Sequence, residues 1–257
     1  YYGKFGGATG NLNAHYASYP EVDWDYHMSK FIKKFGLIRD PITTQIDNYE
    51  NLTDCFDAIK RINTVLIDLN RDIWSYISMN YIKQKINKQE VGSSTMPHKI
   101  NPINFENSEG NLMIANTLLQ FMSSKLPVSR LQRDLTDSTV VRNIGTIFGH
   151  IIIAYESLLT GLDKLDANTD FIHKDLYSNY SVIVEALQTI MRKYGHTDSY
   201  EKFKDFTRTN SKITKEKIDN FIDFLDVSEN CKKEMRAVEI EKYVGNCFKE
   251  HSFDVLF

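Results

Sequence analysis

LTDCFDAIKRINTVLIDLNRDIWSY, residues Leu52–Tyr76, decides the class of fold. Its apolar residues Leu52, Cys55, Ile59, Ile62, Leu66, Leu69, Ile73 and Tyr76 follow one another in alternating steps of three and four. That spacing lays them along one stripe of a helix and matches the seam of a left-handed bundle. A second series repeats it: Val141, Ile144, Phe148, Ile151, Tyr155, Leu158, Leu162 and Leu165. A third helix is expected from about Pro102 to Ser124, with Leu112, Leu118, Leu119 and Met122 as its buried stripe. The two series predict helices of about 30 residues, or roughly 45 Å at the helical rise. Ordinary globular helices average roughly 11–12 residues, so rods of this length need partners along their whole extent. The second series also carries Ile147, Ile152 and Ile153. A helix apolar on more than one face is expected to be buried on all sides. That implies a bundle core shared between several copies of the chain; a monomeric bundle with a broad core is the alternative.

Outward from the series the same picture extends. The 257 residues include five prolines, all at or before Pro127, which suits long uninterrupted helices. Asp166–Asp170 reads as a polar linker, with Asn168 or Thr169 available to cap the next helix. Shorter helices are expected beyond it, at about 171–194, 199–208, 214–225 and 228–236, with Gly195 at the C′ position of the first. The fold class is therefore all-α: a long-helix bundle domain over residues 1–165 and a smaller helical domain over residues 166–257.

Composition narrows the function. Hydrophobic residues make up 42 % and charged residues 25 % of the chain, and the net charge is −3. These are ordinary values for a soluble globular protein, with no basic patch of the kind nucleic acid requires. The longest apolar run, Ile151–Ala154, is too short to span a bilayer, so no membrane partner is expected. Cys55, Cys231 and Cys247 are scattered and odd in number, which points to a reducing cytoplasm rather than a disulfide framework. No metal-ligand spacing occurs among the seven histidines, and no cofactor or metal is expected.

Three segments are unusual for packing alone. GSSTMPHKINP, Gly92–Pro102, joins two predicted helices. Gly92 and the paired serines favour a mobile loop, and Pro97 and Pro102 punctuate the return to helix. A lysine and an asparagine at a helix entrance can hold a carboxylate, aided by the free N–H groups there. RLQRDLTDSTVVR, Arg130–Arg142, places three arginines among hydroxyl residues, a set suited to a phosphate. The plain reading of this segment is a charged helix start with Asp134 or Asp137 as cap, and Asp137-Ser138-Thr139 has that form. GGATGNLNAH, Gly6–His15, lacks the lysine of a P-loop. Close packing or a tight turn is the better reading, with His15 structural.

The loop GSSTMPHKIN carries the signature of the fumarase/aspartase superfamily. Together with RDLTDSTVVRN at Arg133–Asn143, YPEVDW at Tyr19–Trp24 and TTQI at Thr43–Ile46, the chain resembles the adenylosuccinate lyase family in its bacterial-type purine branch. The resemblance runs along essentially the whole chain and is strongest from Gly3 to about Leu165. It implies that Ser93 is the catalytic base, with Ser94 its neighbour in the substrate site. It implies that Lys99, Ile100 and Asn101 hold the substrate carboxylates and the developing carbanion, and that Glu106 sits near the loop lysine. Gln45 and Asn107 match further substrate contacts. Arg133 and the run Ser138, Thr139, Val140, Val141 and Arg142 match residues around a nucleotide phosphate.

The reaction so implied is a β-elimination releasing fumarate from adenylosuccinate and from SAICAR, in purine nucleotide biosynthesis. The family is a homotetramer whose active sites draw on three subunits. It protonates the leaving nitrogen with a histidine in an upstream segment, and none of His15, His27, His98, His150, His173, His196 and His251 matches that histidine. A fragment of a longer protein is expected, nearly inactive alone. Two other readings compete. One is a lyase or cycloisomerase of the argininosuccinate or carboxymuconate type, against which the Arg133–Arg142 run argues. The other is a non-catalytic helical scaffold, which has no need of Ser93, Lys99, Asn101 and Glu106.

Overall fold

The computed structural model describes residues 1–85, 101–208 and 212–245. Among the described residues the fold is all-α apart from four short strands, and the chain divides into two compact units, Tyr1–Ala167 and Asn168–Phe257.

The first unit opens with β1 (Tyr2–Gly3), α1 (Asn13–Ser18), α2 (Trp24–Lys33) and β2 (Ile38–Arg39), the two strands pairing in parallel. Asp23 caps α2 by accepting the Tyr26 N–H at 2.9 Å. Three rods follow: α3 (Glu50–Ser78), α4 (Ile103–Lys125) and α6 (Ile144–Asp163). Strand β3 (Ile82–Gln84) comes between α3 and α4, and the six-residue α5 (Thr136–Val141) between α4 and α6. After α6, β4 (Leu165–Ala167) pairs antiparallel with β3 and so belongs with the bundle.

Helix α4 packs against both α3 and α6. Its buried residues are Phe105, Ser108, Leu112, Ala115, Leu119 and Met122, in alternating steps of three and four. Leu118, expected in the same stripe, is half-buried beside it. Gly161 of α6 lets that helix come close: a Cβ there would stand 2.8 Å from Phe105 and 3.0 Å from Asn104. The core falls into two apolar clusters. Phe56, Leu119, Met122, Leu126, Ile147 and Ile151 fill one end, and Ile73, Phe105 and Leu158 the other. Between them lies a polar belt. Asn63 donates to Asn116 at 2.9 Å and accepts the Tyr155 hydroxyl at 2.7 Å, which ties α3, α4 and α6 at one point. Asn70 donates to Ser108 at 3.0 Å and to the Leu66 carbonyl at 2.8 Å.

Several expectations are corrected. The series Leu52–Tyr76 is one helix, but part of its stripe turns outward. Leu52, Ile59, Leu66, Leu69 and Ile73 are buried or half-buried, whereas Cys55, Ile62 and Tyr76 are exposed. The inner line runs instead through Thr53, Phe56, Asn63, Asn70 and Ile73. The second series is broken at Arg142–Asn143 into α5 and α6. Its extra apolar residues are not covered on all sides within one chain: Ile152 and Ile153 are about half exposed, at 55 % and 50 %. By length and composition the stretch Thr136–Asp163 would suffice to cross a membrane. Short apolar runs hid that, because its polar residues are spread thinly. Its inner face, Ile147, Ile151, Ala154, Leu158 and Gly161, is spent on bundle packing.

The second unit holds α7 (Thr169–Ser178), α8 (Val184–Lys193), α9 (Ser199–Thr207), α10 (Lys215–Phe224) and α11 (Glu229–Arg236). The helix expected over 171–194 is interrupted by a 3-10 turn at Tyr180–Ile183, where the Tyr180 N–H donates to the distant Ile213 carbonyl. Asn168 takes the N-cap position of α7, and Gly195 follows α8 with φ of 90°. The core of this unit is Leu187, Met191, Phe203, Ile222, Cys231 and Met235. Thr214 and Ser228 cap α10 and α11 through their hydroxyls.

The polar belt makes a stability prediction. Tyr155→Phe removes one donor from Asn63 and is expected to cost about 1 kcal/mol. Asn63→Ala strands both Asn116 and the Tyr155 hydroxyl and opens a void, costing about 2–4 kcal/mol. Urea unfolding of the two variants measures the difference, and equal costs would contradict the three-way tie.

Candidate active site

The sequence-predicted site residues fall at two ends of the bundle. At the head of α4, Asn101 and Pro102 lead into the helix, with Pro102 at its N-cap. Its fixed φ suits a helix entrance. Glu106 is exposed in the first turn and accepts the Trp74 indole N–H of α3 at 3.1 Å. Asn107 follows it, donating to the Ser157 hydroxyl and accepting from Asn111, each at 3.1 Å. The structure thus brings Asn101, Glu106 and Asn107 to one end, where the Gly92–Pro102 segment returns to helix. Ser93, Ser94, Lys99 and Ile100 lie outside the described residues.

The arginine arm lies toward the other end. Leu131 and Gln132 take left-handed φ values of 50° and 70°, at a cost of about 1–2 kcal/mol each for residues with a Cβ. Asp134 holds the turn. It accepts from the Thr136 hydroxyl and N–H and from Arg130. Those bonds, the Thr136 hydroxyl foremost, hold its carboxyl well below the usual carboxylate range. The cap expected at Asp137-Ser138-Thr139 is therefore corrected: α5 starts at Thr136, and Asp134 serves its first turn. Asp137 instead points inward, 6 % exposed, and accepts the Tyr49 hydroxyl at 2.9 Å. Its other oxygen has no hydrogen-bond partner among the described residues.

Ser138 donates back to the Leu135 carbonyl at 2.9 Å, and Thr139 is exposed. Val140 and Val141 pack on the cluster of Phe56, Leu119 and Met122. Arg130 is taken by Asp134 at 3.2 Å. Arg133 and Arg142 are exposed and form no ion pair among the described residues. Two such guanidinium groups can bind a phosphate without first giving up a carboxylate partner.

Gln45 is exposed, four residues before Tyr49. The Gly6–His15 segment underlies it as close backbone packing: a Cβ on Gly10 would run into the Thr43 carbonyl and stand 2.8 Å from that of Thr44. His15 stacks edge-on against Trp24 at 4.9 Å.

The two groups are not brought together within one chain. Val140 and Val141 pack at the level of Leu119 and Met122. From Asn107 to Leu119 is already about 18 Å along α4 at 1.5 Å per residue. Trp74, Ser157 and Asn111 touch the site residues Glu106 and Asn107, while Tyr49 and His150 hold Asp137 and Asn111 beside them; none was singled out from sequence, because each lies at least 30 residues from the residue it contacts, Asn111 excepted.

The family model "Lyase" matches residues 1–116, and the model "Adenylosuccinate lyase C-terminal" matches residues 129–244. The chain is 53 % identical over 246 residues to adenylosuccinate lyase of Dictyostelium discoideum, covering 94 % of this chain and 53 % of that protein. It is 49 % identical over 243 residues to adenylosuccinate lyase of Escherichia coli K12, covering 95 % of this chain and 53 % of that protein. The chain thus spans about half the length of these relatives. Among solved structures, 3-carboxy-cis,cis-muconate lactonizing enzyme from Pseudomonas putida superposes with a TM-score of 0.66 at 15 % identity. That match covers 95 % of this chain and 55 % of the other, a likeness of fold.

Tyr49→Phe leaves Asp137 buried without a donor and is expected to cost about 1–3 kcal/mol. Burial first, and then the bond to Asp137, raises the Tyr49 hydroxyl above its ordinary 10.0. A group raised in the fold lends stability that is whole below the unfolded value and lost as pH climbs through the folded one. The gap between wild type and Tyr49→Phe in urea unfolding should hold steady from about pH 6 to 9 and narrow above about pH 10. A gap that does not narrow would refute the link.

Proposed function

The chain belongs to the adenylosuccinate lyase family, and on that premise we propose that it forms the C-terminal half of a cytoplasmic enzyme releasing fumarate from adenylosuccinate and SAICAR. The observation that carries the substrate assignment is the pair Arg133 and Arg142, exposed and free of carboxylate partners among the described residues. Besides Lys99 and Asn101 for the carboxylates, the arm offers two guanidinium groups to a second anion, such as the phosphate of a nucleotide monophosphate.

In this reading Ser93, ionised by its surroundings, takes the proton from the carbon beside a substrate carboxylate. The electron pair left behind spreads onto that carboxylate, where Lys99 and Asn101 meet it, with Ile100 between them. Collapse of the pair to a carbon–carbon double bond expels the nitrogen, which a general acid protonates. No histidine of this chain is assigned to that step. Electrostatic stabilisation of the carbanion is the largest contribution, and loss of one donor costs about 2.7–4 kcal/mol. Ser94, Gln45 and Asn107 hold the rest of the substrate, Glu106 sits near the loop lysine, and Arg133 with Ser138–Arg142 takes the phosphate.

Copies of the chain complete one another in this reading. The head of α4 and the arginine arm are about 18 Å or more apart along the helix, too far for one substrate. Ile62 and Val65 on α3, Ile114 and Phe121 on α4, and Ile152, Ile153 and Leu159 on α6 are all exposed. We assign these faces to the core of a homotetramer whose sites are shared between subunits.

Two experiments on the full-length protein test the reading. Ser93→Ala should abolish fumarate release from adenylosuccinate while oligomer size in sedimentation stays unchanged; retained turnover would move the base elsewhere. Arg133→Leu should raise KM for adenylosuccinate roughly tenfold or more, yet leave the dephosphorylated succinyladenosine nearly unaffected. Equal losses on both substrates would remove the phosphate from the arm.

A further inference from the structure

A line of hydrogen bonds crosses from α6 to α4 and ends on Asn107. Its direction is determined by two backbone carbonyls. Ser157 Oγ lies 2.9 Å from the Asn104 carbonyl, which can only accept, so the single hydroxyl proton goes there. Ser157 must then accept from Asn107, which places the Asn107 Nδ2 on that side at 3.1 Å. The Asn107 Oδ1 therefore faces Asn111, whose Nδ2 donates to it at 3.1 Å and also to the Asn107 backbone carbonyl at 2.8 Å. That second bond fixes the Asn111 amide independently. Asn111 thus turns its Oδ1 to His150, 2.8 Å from Nδ1, and His150 must carry its proton on Nδ1. The chain reads His150 to Asn111 to Asn107 to Ser157 to the Asn104 carbonyl, donor to acceptor throughout.

We propose that His150 and Asn111 are positioning residues that set the orientation of the Asn107 amide toward substrate. The inference rests on the assignment of Asn107 as a substrate contact. An unsupported asparagine amide can turn over and exchange its donor and acceptor faces. Here turning Asn107 would set its NH2 against the Asn111 NH2 and its oxygen against a serine with no proton left to give. One spare N–H and one spare lone pair of Asn107 are thus presented in a single arrangement.

The test uses the full-length protein with adenylosuccinate, following KM and kcat separately, with melting temperature and oligomer size as controls. Asn107→Ala identifies which kinetic parameter that amide serves. His150→Ala and Asn111→Ala are expected to move the same parameter by roughly threefold to tenfold. His150→Asn, which keeps a donor at the Nδ1 position, should return to within about twofold of wild type. An effect of Asn107→Ala with none from His150→Ala or Asn111→Ala would overturn the positioning role and leave Asn107 in the site. Equal losses in His150→Ala and His150→Asn would reduce His150 to helix packing and overturn it too. No effect of Asn107→Ala would instead remove Asn107 from the substrate site, and the proposal with it.

Discussion

Helix α4 is enclosed by α3 on one side and α6 on another, and every feature of the first unit follows from that double burial. A helix covered twice has little freedom to slide, since each neighbour reads a different line of its side chains. Gly161 sets the approach of α6 to Phe105 and Asn104. The Asn63–Asn116–Tyr155 knot sets the register of all three rods at once. Apolar contacts supply most of the gain, but they tolerate a shifted register. Buried amides do not, because a slip leaves each of them without a partner in a low-dielectric interior.

The same enclosure fixes where chemistry can be placed. Side chains at the head of α4 are held by residues of its neighbours: Glu106 by Trp74 and Asn107 by Ser157. The arginine arm is fastened through Asp137 to Tyr49 at the start of α3. Both candidate half-sites therefore stand on rigid helices rather than on loops alone, which is what a constellation held to a fraction of an ångström requires.

How much of this was legible in the sequence depends on the range of the interaction. Two of the rods could be read from alternating steps of three and four and the third from its apolar stripe, since helical periodicity is local. The inward line of α3 could not, because it runs through Asn63 and Asn70, which look like surface residues until Asn116 and Ser108 are opposite them. Asp137 has the local form of a cap. Its true partner is 88 residues away, and Asp134 reaches the helix start first. The break at Tyr180 has the same cause, a bond to Ile213 that no local pattern announces. The serine loop was legible as a motif that pointed to the family, and the identities of Arg133 and Arg142 pointed to an anion. That Arg130 is spent on Asp134, and so stands apart from the other two, required the fold.

A partly exposed seam and the split site of the proposed function would have one explanation in common. Rods of the length of α3, about 43 Å at the helical rise, carry one half-site toward each end. If a second copy covers the exposed line of Cys55, Ile62 and Tyr76 while running antiparallel, it sets its arginine arm beside the first copy's α4 head. The apolar residues that a single chain leaves uncovered would then be what brings the two halves within reach of one substrate. Parallel packing would bury the same apolar area and leave the halves apart, so the direction of association, rather than its extent, is what the shared-site proposal requires.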